Sequence, residues 1–233
     1  MQTAVGLISG GLDSCVAAYM AREDHNIEVK TGVTILYGQR HDREVSSAKR
    51  VCAALGINHI VLDVPLRDII QGSSALLNPS EALPHDRAQS AMTARVPRSY
   101  VPGRNTIMLA IAQSIAEAYE YDHIITGFNA VDFSGYPDCR PIFVDAWNHL
   151  ARYATKRGYE NNAITLVAPI INMAKASVVY HGIRLGAPLG DTWSCYEGGA
   201  LACGRCDSCI IRRNAFRENG REDPITYEEA THD

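Results

Sequence analysis

An apolar run, Ala4 to Ile8, is followed by the polar turn Ser9-Gly10-Gly11-Leu12-Asp13-Ser14 and then by an apolar segment of helical periodicity, Val16 to Ala21. That order predicts strand, glycine-rich turn and helix. The alternation then recurs. Val29 to Tyr37 is rich in β-branched and apolar residues and predicts a second strand, ended by Gly38. Gln39 to Glu44 opens a helix to about Leu55, with Val45, Ala48, Val51, Cys52 and Leu55 at helical spacing and Gly56 as its stop. Ile57 to Val64, His123 to Thr126 and Ile164 to Ala168 predict three more strands. An alanine-rich helix starts at Arg104 and Asn105 and runs to about Tyr119. Another spans about Phe143 to Arg157, with Val144, Trp147, Leu150, Ala151 and Ala154 as its buried face and His149 packed or exposed. A last one runs from Lys175 to about Leu185. Strands and helices joined by short connections predict an α/β fold, a parallel sheet wrapped by helices.

Two stretches break the pattern. Ser73 to Arg98 carries Pro79, Pro84 and Pro97, scattered charge and poor periodicity. Such a loop is either a lid beside a site or an insertion without a role. The acidic tail after Gly220 predicts a short helix or a frayed end.

At 233 residues, 46% apolar and 21% charged, the chain has the make-up of one large globular domain, or of one domain with a small appendage. A net charge of −4 argues against a broad basic footprint for nucleic acid. No apolar run approaches a membrane span, and no basic stretch followed by an apolar core marks a secretory signal, so a cytoplasmic protein is expected. Seven cysteines, four of them between Cys195 and Cys209, read as a metal site plus core thiols in a reducing compartment.

Candidate chemistry falls at the strand ends. Adjacent glycines let backbone N–H groups face a ligand, and the helix after them adds its positive end, with Ser14 near the first turn; together they form a socket for a polyphosphate. It is not a Walker A loop, since G-K-[ST] occurs nowhere, nor a dinucleotide fingerprint, since the third glycine is missing. Arg104 lies at the mouth of a helix, and its planar fork suits phosphate or carboxylate. Lys175 stands near a helix start, where a cation opposes the dipole, a placement that binding of a departing pyrophosphate would explain. Phe128 to Arg140 follows a strand's carboxyl end and concentrates aromatics, Asp132, Asp138, Arg140 and Asn129, a set suited to a guanine-like base bearing a carboxylate. Cys195, Cys203, Cys206 and Cys209, with two overlapping C-x-x-C steps, fit a closed tetrahedral zinc site; an iron–sulfur cluster or a redox dithiol are the alternatives.

Ser-Gly-Gly-x-Asp-Ser resembles the signature of the PP-loop ATP pyrophosphatases. With Tyr37-Gly38-Gln39-Arg40-His41, Val101-Pro102-Gly103-Arg104-Asn105, Asp132 to Arg140 and the cysteine cluster in this order, the chain from Met1 to about Arg217 resembles the 7-cyano-7-deazaguanine (preQ0) synthase family. The resemblance implies a Rossmann-like PP-loop domain of the adenine nucleotide alpha hydrolase-like type over 1–188, and a zinc-binding segment with its tail over 189–233. It implies a ligase that joins 7-carboxy-7-deazaguanine and ammonia at the expense of ATP with Mg²⁺, adenylating first the acid and then the amide. ATP would be held by Ile8, Ser9, Gly10, Gly11, Leu12, Asp13, Ser14 and Cys15. Asp13, Arg104 and Lys175 would serve catalysis, and Asp132, Tyr136, Asp138 and Arg140 would hold the deazaguanine. A homodimer that touches neither nucleic acid nor membrane completes the expectation. Two rivals stand beside it: a tRNA thiolase of the same superfamily, using Cys15 or Cys139 to carry sulfur, and a non-catalytic zinc-stapled nucleotide sensor.

Overall fold

Five parallel strands make one sheet: β1 (Gln2–Leu7), β2 (Ile27–Leu36), β3 (Asn58–Asp63), β4 (His123–Ile125) and β5 (Thr165–Val167), in the order β3-β2-β1-β4-β5. The computed structural model describes residues 1–39, 43–70, 74–78, 85–87, 96–129 and 135–228. The chain builds outward from β1 to β3 and then returns to the other side of β1, so the order reverses between β1 and β4. The carboxyl ends of those two strands therefore border a crevice, the usual ligand position in open α/β sheets.

β1 is apolar without alternation because both of its faces are covered. Ala4 and Val5 point opposite ways and belong to two separate cores. Ala4 and Val29 pack with α1 (Leu12–His25), α2 (Arg43–Leu55), α7 (Lys175–Arg184) and α8 (Asp207–Glu218). Val5, Val33, Ile124 and Leu166 pack with α4 (Arg104–Ala118) and α5 (Pro141–Ala154). A single turn, α3 (Leu66–Ile69), escaped the sequence pattern because one buried leucine in four residues carries no period.

Three sequence expectations change. The helix expected over Phe143 to Arg157 is two elements, because Thr155 is extended (φ −129°, ψ 157°) and its hydroxyl accepts from the Gly158 amide at 2.9 Å, starting α6 (Lys156–Tyr159). Leu150 is 50% exposed and Ala154 is exposed as well, against the expected face. The inward stripe of α5 includes Asn148 instead: its side-chain amide donates to the Leu166 carbonyl at 3.0 Å and accepts from the Leu166 amide at 2.7 Å. That pairing satisfies the backbone of edge strand β5, which an apolar residue could not do.

The tail after Gly220 is neither helical nor frayed as far as residue 228. Asp223 takes both forks of Arg212, Nε at 2.7 Å and Nη2 at 3.0 Å, and Tyr227 donates to it at 2.6 Å. Arg212 is fully buried and donates further to Thr192 at 2.7 Å and to the Leu189 carbonyl at 2.9 Å. A buried guanidinium needs a buried carboxylate, and this tail supplies it. Residues 74–77 of the 73–98 stretch are buried, and Asp86 is tied down by its backbone. Ala75, Leu76 and Leu77 are buried against Tyr37, Leu66 and Val101, and the Asp86 amide donates to the Arg205 carbonyl at 2.9 Å.

Candidate active site

The crevice between β1 and β4 deepens into a cavity of about 370 Å³. Its floor is the turn after β1. Ser14 Oγ accepts from the Ser9 amide at 3.2 Å and donates to the Gly11 carbonyl at 3.1 Å, while the Gly11 amide donates to Ser9 Oγ at 3.2 Å. The loop's own serines thus preform it. Ser9, Gly11, Leu12, Asp13 and Ser14 line the cavity, whereas Ile8 and Cys15, 1% and 0% exposed, hold the loop from behind.

Gly10 has φ +85°, and a Cβ there would stand 2.1 Å from the Glu44 carbonyl oxygen and 2.8 Å from the Ala48 amide nitrogen. Only glycine lets α2 close on this loop. Gly10→Ala is expected to destabilise the protein by about 2–4 kcal/mol, from left-handed strain plus overpacking, in a denaturant titration. A variant as stable as the parent would refute that packing.

Asp13, in the first turn of α1, meets Lys175 from the first position of α7: Nζ lies 2.8 Å from Oδ1 and 2.6 Å from Oδ2. Opposite them stands Arg104, which begins α4 after Gly103 (φ +66°). Its guanidinium donates to Tyr37 Oη at 3.1 Å and lies 5.2 Å from the Tyr37 ring centre and 5.9 Å from that of Tyr136. Tyr136 is anchored by its hydroxyl to Ser99 Oγ at 2.6 Å. Burial pushes the Glu44 carboxyl up to about 7, with Arg104 opposing the rise. Burial likewise raises the Tyr37 and Tyr136 phenols, and Arg104 again opposes.

Of the residues expected to hold a heterocycle, Tyr136 lines the cavity. Asp138 is buried behind the wall, where Oδ2 accepts from the Asn105 amide at 3.4 Å and its carbonyl from Asn105 Nδ2 at 3.2 Å. It therefore orients the start of α4. Arg140 is exposed and donates to the Pro137 carbonyl at 3.0 Å, outside the cavity lining. Asp132 lies outside the described residues, as do Arg40 and His41. Sequence reasoning assigned no role to Tyr37, Glu44, Ser99, Trp193 or Asp207, all of which line the cavity. Tyr37 and Glu44 flank the Gly38-Gln39 break, a nearby signal, but a glutamate in a helix's first turn reads as solvated until tertiary contacts enclose it.

The four sulfurs of Cys195, Cys203, Cys206 and Cys209 lie within 4.8 Å of one another. Backbone amides of Cys203, Arg205 and Cys206 point at them from 3.4, 3.5 and 3.3 Å, contacts that favour thiolates. Four converging sulfurs, with no fifth donor grouped with them among the described residues, fit one tetrahedral metal ion. Trp193 links this cluster to the loop: its indole donates to the Cys195 carbonyl at 2.9 Å and its amide to the Gly10 carbonyl at 2.9 Å.

A sequence profile for the queuosine biosynthesis protein QueC matches residues 3–220. The chain belongs to the QueC family. The match takes in the Ser9–Ser14 loop, Arg104, Lys175 and all four clustered cysteines. Relatives named 7-cyano-7-deazaguanine synthase align along nearly their whole length. The one from Synechococcus sp. (strain CC9902) is 45% identical over 95% of this chain and 96% of its own. Those from Trichormus variabilis and Synechococcus elongatus are 45% and 47% identical, covering 96% and 94% of this chain and 97% and 93% of theirs. No described helix of this QueC-family chain is long and apolar enough to cross a membrane.

Proposed function

We propose that this chain is an ATP-dependent ligase that converts 7-carboxy-7-deazaguanine and ammonia to 7-cyano-7-deazaguanine, for queuosine biosynthesis. The observation that carries the reading is near end-to-end identity of 45–47% with synthases of that name. One cavity that gathers the glycine-rich loop, Lys175, Arg104 and Tyr136 supports it.

In this reading the substrate carboxylate attacks the α-phosphorus of ATP and pyrophosphate leaves. Ammonia displaces AMP to give the amide, whose oxygen is adenylated in turn, and loss of AMP leaves the nitrile. The Ser9–Ser14 loop and Lys175 receive the departing pyrophosphate, Asp13 orients Mg²⁺ or the loop, and Arg104 offsets charge gathering on the phosphates. Tyr136 stacks on the deazaguanine, with Asp132, Asp138 and Arg140 as the rest of its loop; Asp138 acts through Asn105. Zinc is the metal we assign to the cysteine cluster, where it pins the C-terminal segment beside the loop. The proposed assembly is a cytoplasmic homodimer, which the exposed Ile142, Leu150 and Tyr153 of α5 support.

The thiolase alternative needs a reactive thiolate near ATP. Burial pushes both Cys15 and Cys139 up to about 12, the reverse of what a sulfur carrier requires. Purified protein given ATP, Mg²⁺, ammonium and 7-carboxy-7-deazaguanine is expected to yield the nitrile by mass, with AMP and pyrophosphate. Accumulation of the amide alone, or release of ADP and orthophosphate, contradicts the proposal. ATP binding without pyrophosphate release would instead favour a sensor.

A further inference from the structure

All the hydrogens of ammonium must leave as protons before its nitrogen ends in a nitrile. Two go when the amide forms and two more when the amide is dehydrated. ATP removes the oxygens as AMP but takes no proton. The acyl carbon therefore needs a proton acceptor beside it, and nothing in the sequence points to one.

Among the described residues, three carboxylates line the cavity: Asp13, Glu44 and Asp207. Asp13 is engaged by Lys175 through both oxygens. Asp207 is paired with Arg87, Nε to Oδ1 at 3.1 Å. Glu44 has no salt bridge within the described residues. It rises from the first turn of α2, and its own carbonyl is the atom against which Gly10 is packed. The carboxyl is thus borne by an element locked to the phosphate-binding loop, and it keeps part of its surface open to the cavity. Facing it are Arg104 from the start of α4 and the Tyr37 phenol from beyond the end of β2. Tyr37 is kept protonated by its burial, so it does not compete as a base.

We infer that Glu44 is the general base of the amination and dehydration steps, an inference that rests on the ligase reading above. In amination its carboxylate takes a proton from ammonium, the nitrogen lone pair forms the C–N bond, the C–O bond to AMP breaks with its electron pair, and the second proton follows. In dehydration the adenylated amide gives up its N–H protons to the same carboxylate as the third C–N bond closes and AMP departs. Between transfers the carboxylic acid releases each proton to water. A carboxyl raised toward neutrality by burial can both accept and release protons there, which an ordinary surface glutamate does poorly. Because the ionised form is the active one, turnover rises with pH through about 7 in the parent.

Glu44→Gln tests this, because formation of the acyl-adenylate requires no base. The variant is expected to keep substrate-dependent ATP–pyrophosphate exchange within roughly threefold while nitrile formation falls by about 10²–10³-fold and loses its rise with pH. Hydroxylamine, uncharged at neutral pH, should still trap the adenylate as a hydroxamate in this variant. Nitrile formation near the parental rate overturns the inference, and so does a parallel loss of exchange and nitrile formation in a folded variant. If the glutamine form does not fold, Glu44→Asp replaces it: the shorter carboxylate must retain the pH-dependent rise, and a pH-independent aspartate variant also overturns the inference. Absence of exchange in the unsubstituted protein would instead defeat the ligase reading itself.

Discussion

Lys175→Ala is expected to lower turnover by about 10²–10³-fold and to leave the protein folded. Lys175 occupies the first position of α7, where a cation opposes the helix dipole, so the helix loses nothing when the charge is removed. Asp13 is one partner that offsets that misplacement. The two side chains are 17% and 32% exposed, so the pair is partly solvated and its direct worth to stability is about 1 kcal/mol or less. The catalytic term is larger because negative charge builds up on the departing pyrophosphate, and a preoriented ammonium meets it there without reorganisation. Lys175→Arg should recover little, since a planar fork cannot take the place of a compact point charge held by Asp13. Steady-state kinetics with a thermal melt decides the matter: turnover within tenfold of the parent, at unchanged stability, removes Lys175 from the chemistry.

Cys206→Ser is expected to abolish stoichiometric zinc, lower the melting temperature by about 10 °C or more, and weaken ATP binding with it. Cys206 is buried and immediately precedes α8, while Cys209 lies in that helix's first turn, so an ion held there would tie the helix start to Cys195 and Cys203. A structural zinc site is worth about 10–16 kcal/mol in isolated zinc-finger peptides. Here α8 and the tail have other anchors, chiefly Arg212 with Asp223, so only part of that appears as lost stability. ATP binding should suffer because Trp193 joins the cluster to the Gly10 carbonyl. Metal analysis alongside calorimetry tests this. Iron with inorganic sulfide in the parent would replace zinc by a cluster, and a serine variant that melts with the parent would show that the four thiols need no ion.

The sequence by itself determined whatever depends on near neighbours along the chain. The Ser9–Ser14 turn is made by residues within one strand–helix junction, and its serines bond each other, so six consecutive letters specify its shape. The cysteines lie close enough in sequence that their spacing alone implies a shared ion. Apolar runs separated by helical repeats were enough to specify a parallel sheet. Only the tertiary structure decided what depends on desolvation by distant segments. Glu44 reads as a solvated charge until Arg104, Tyr37 and the loop after β1 enclose it. Asn148 interrupts an apolar face until β5 presents an unpaired edge, and the acidic tail looks dispensable until Arg212 is found without water. Asp138 and Arg140, close together in one loop, separate into a buried support and an exposed side chain. A local pattern records what a residue can do, whereas its charge state and its partners are set by which elements remove it from water.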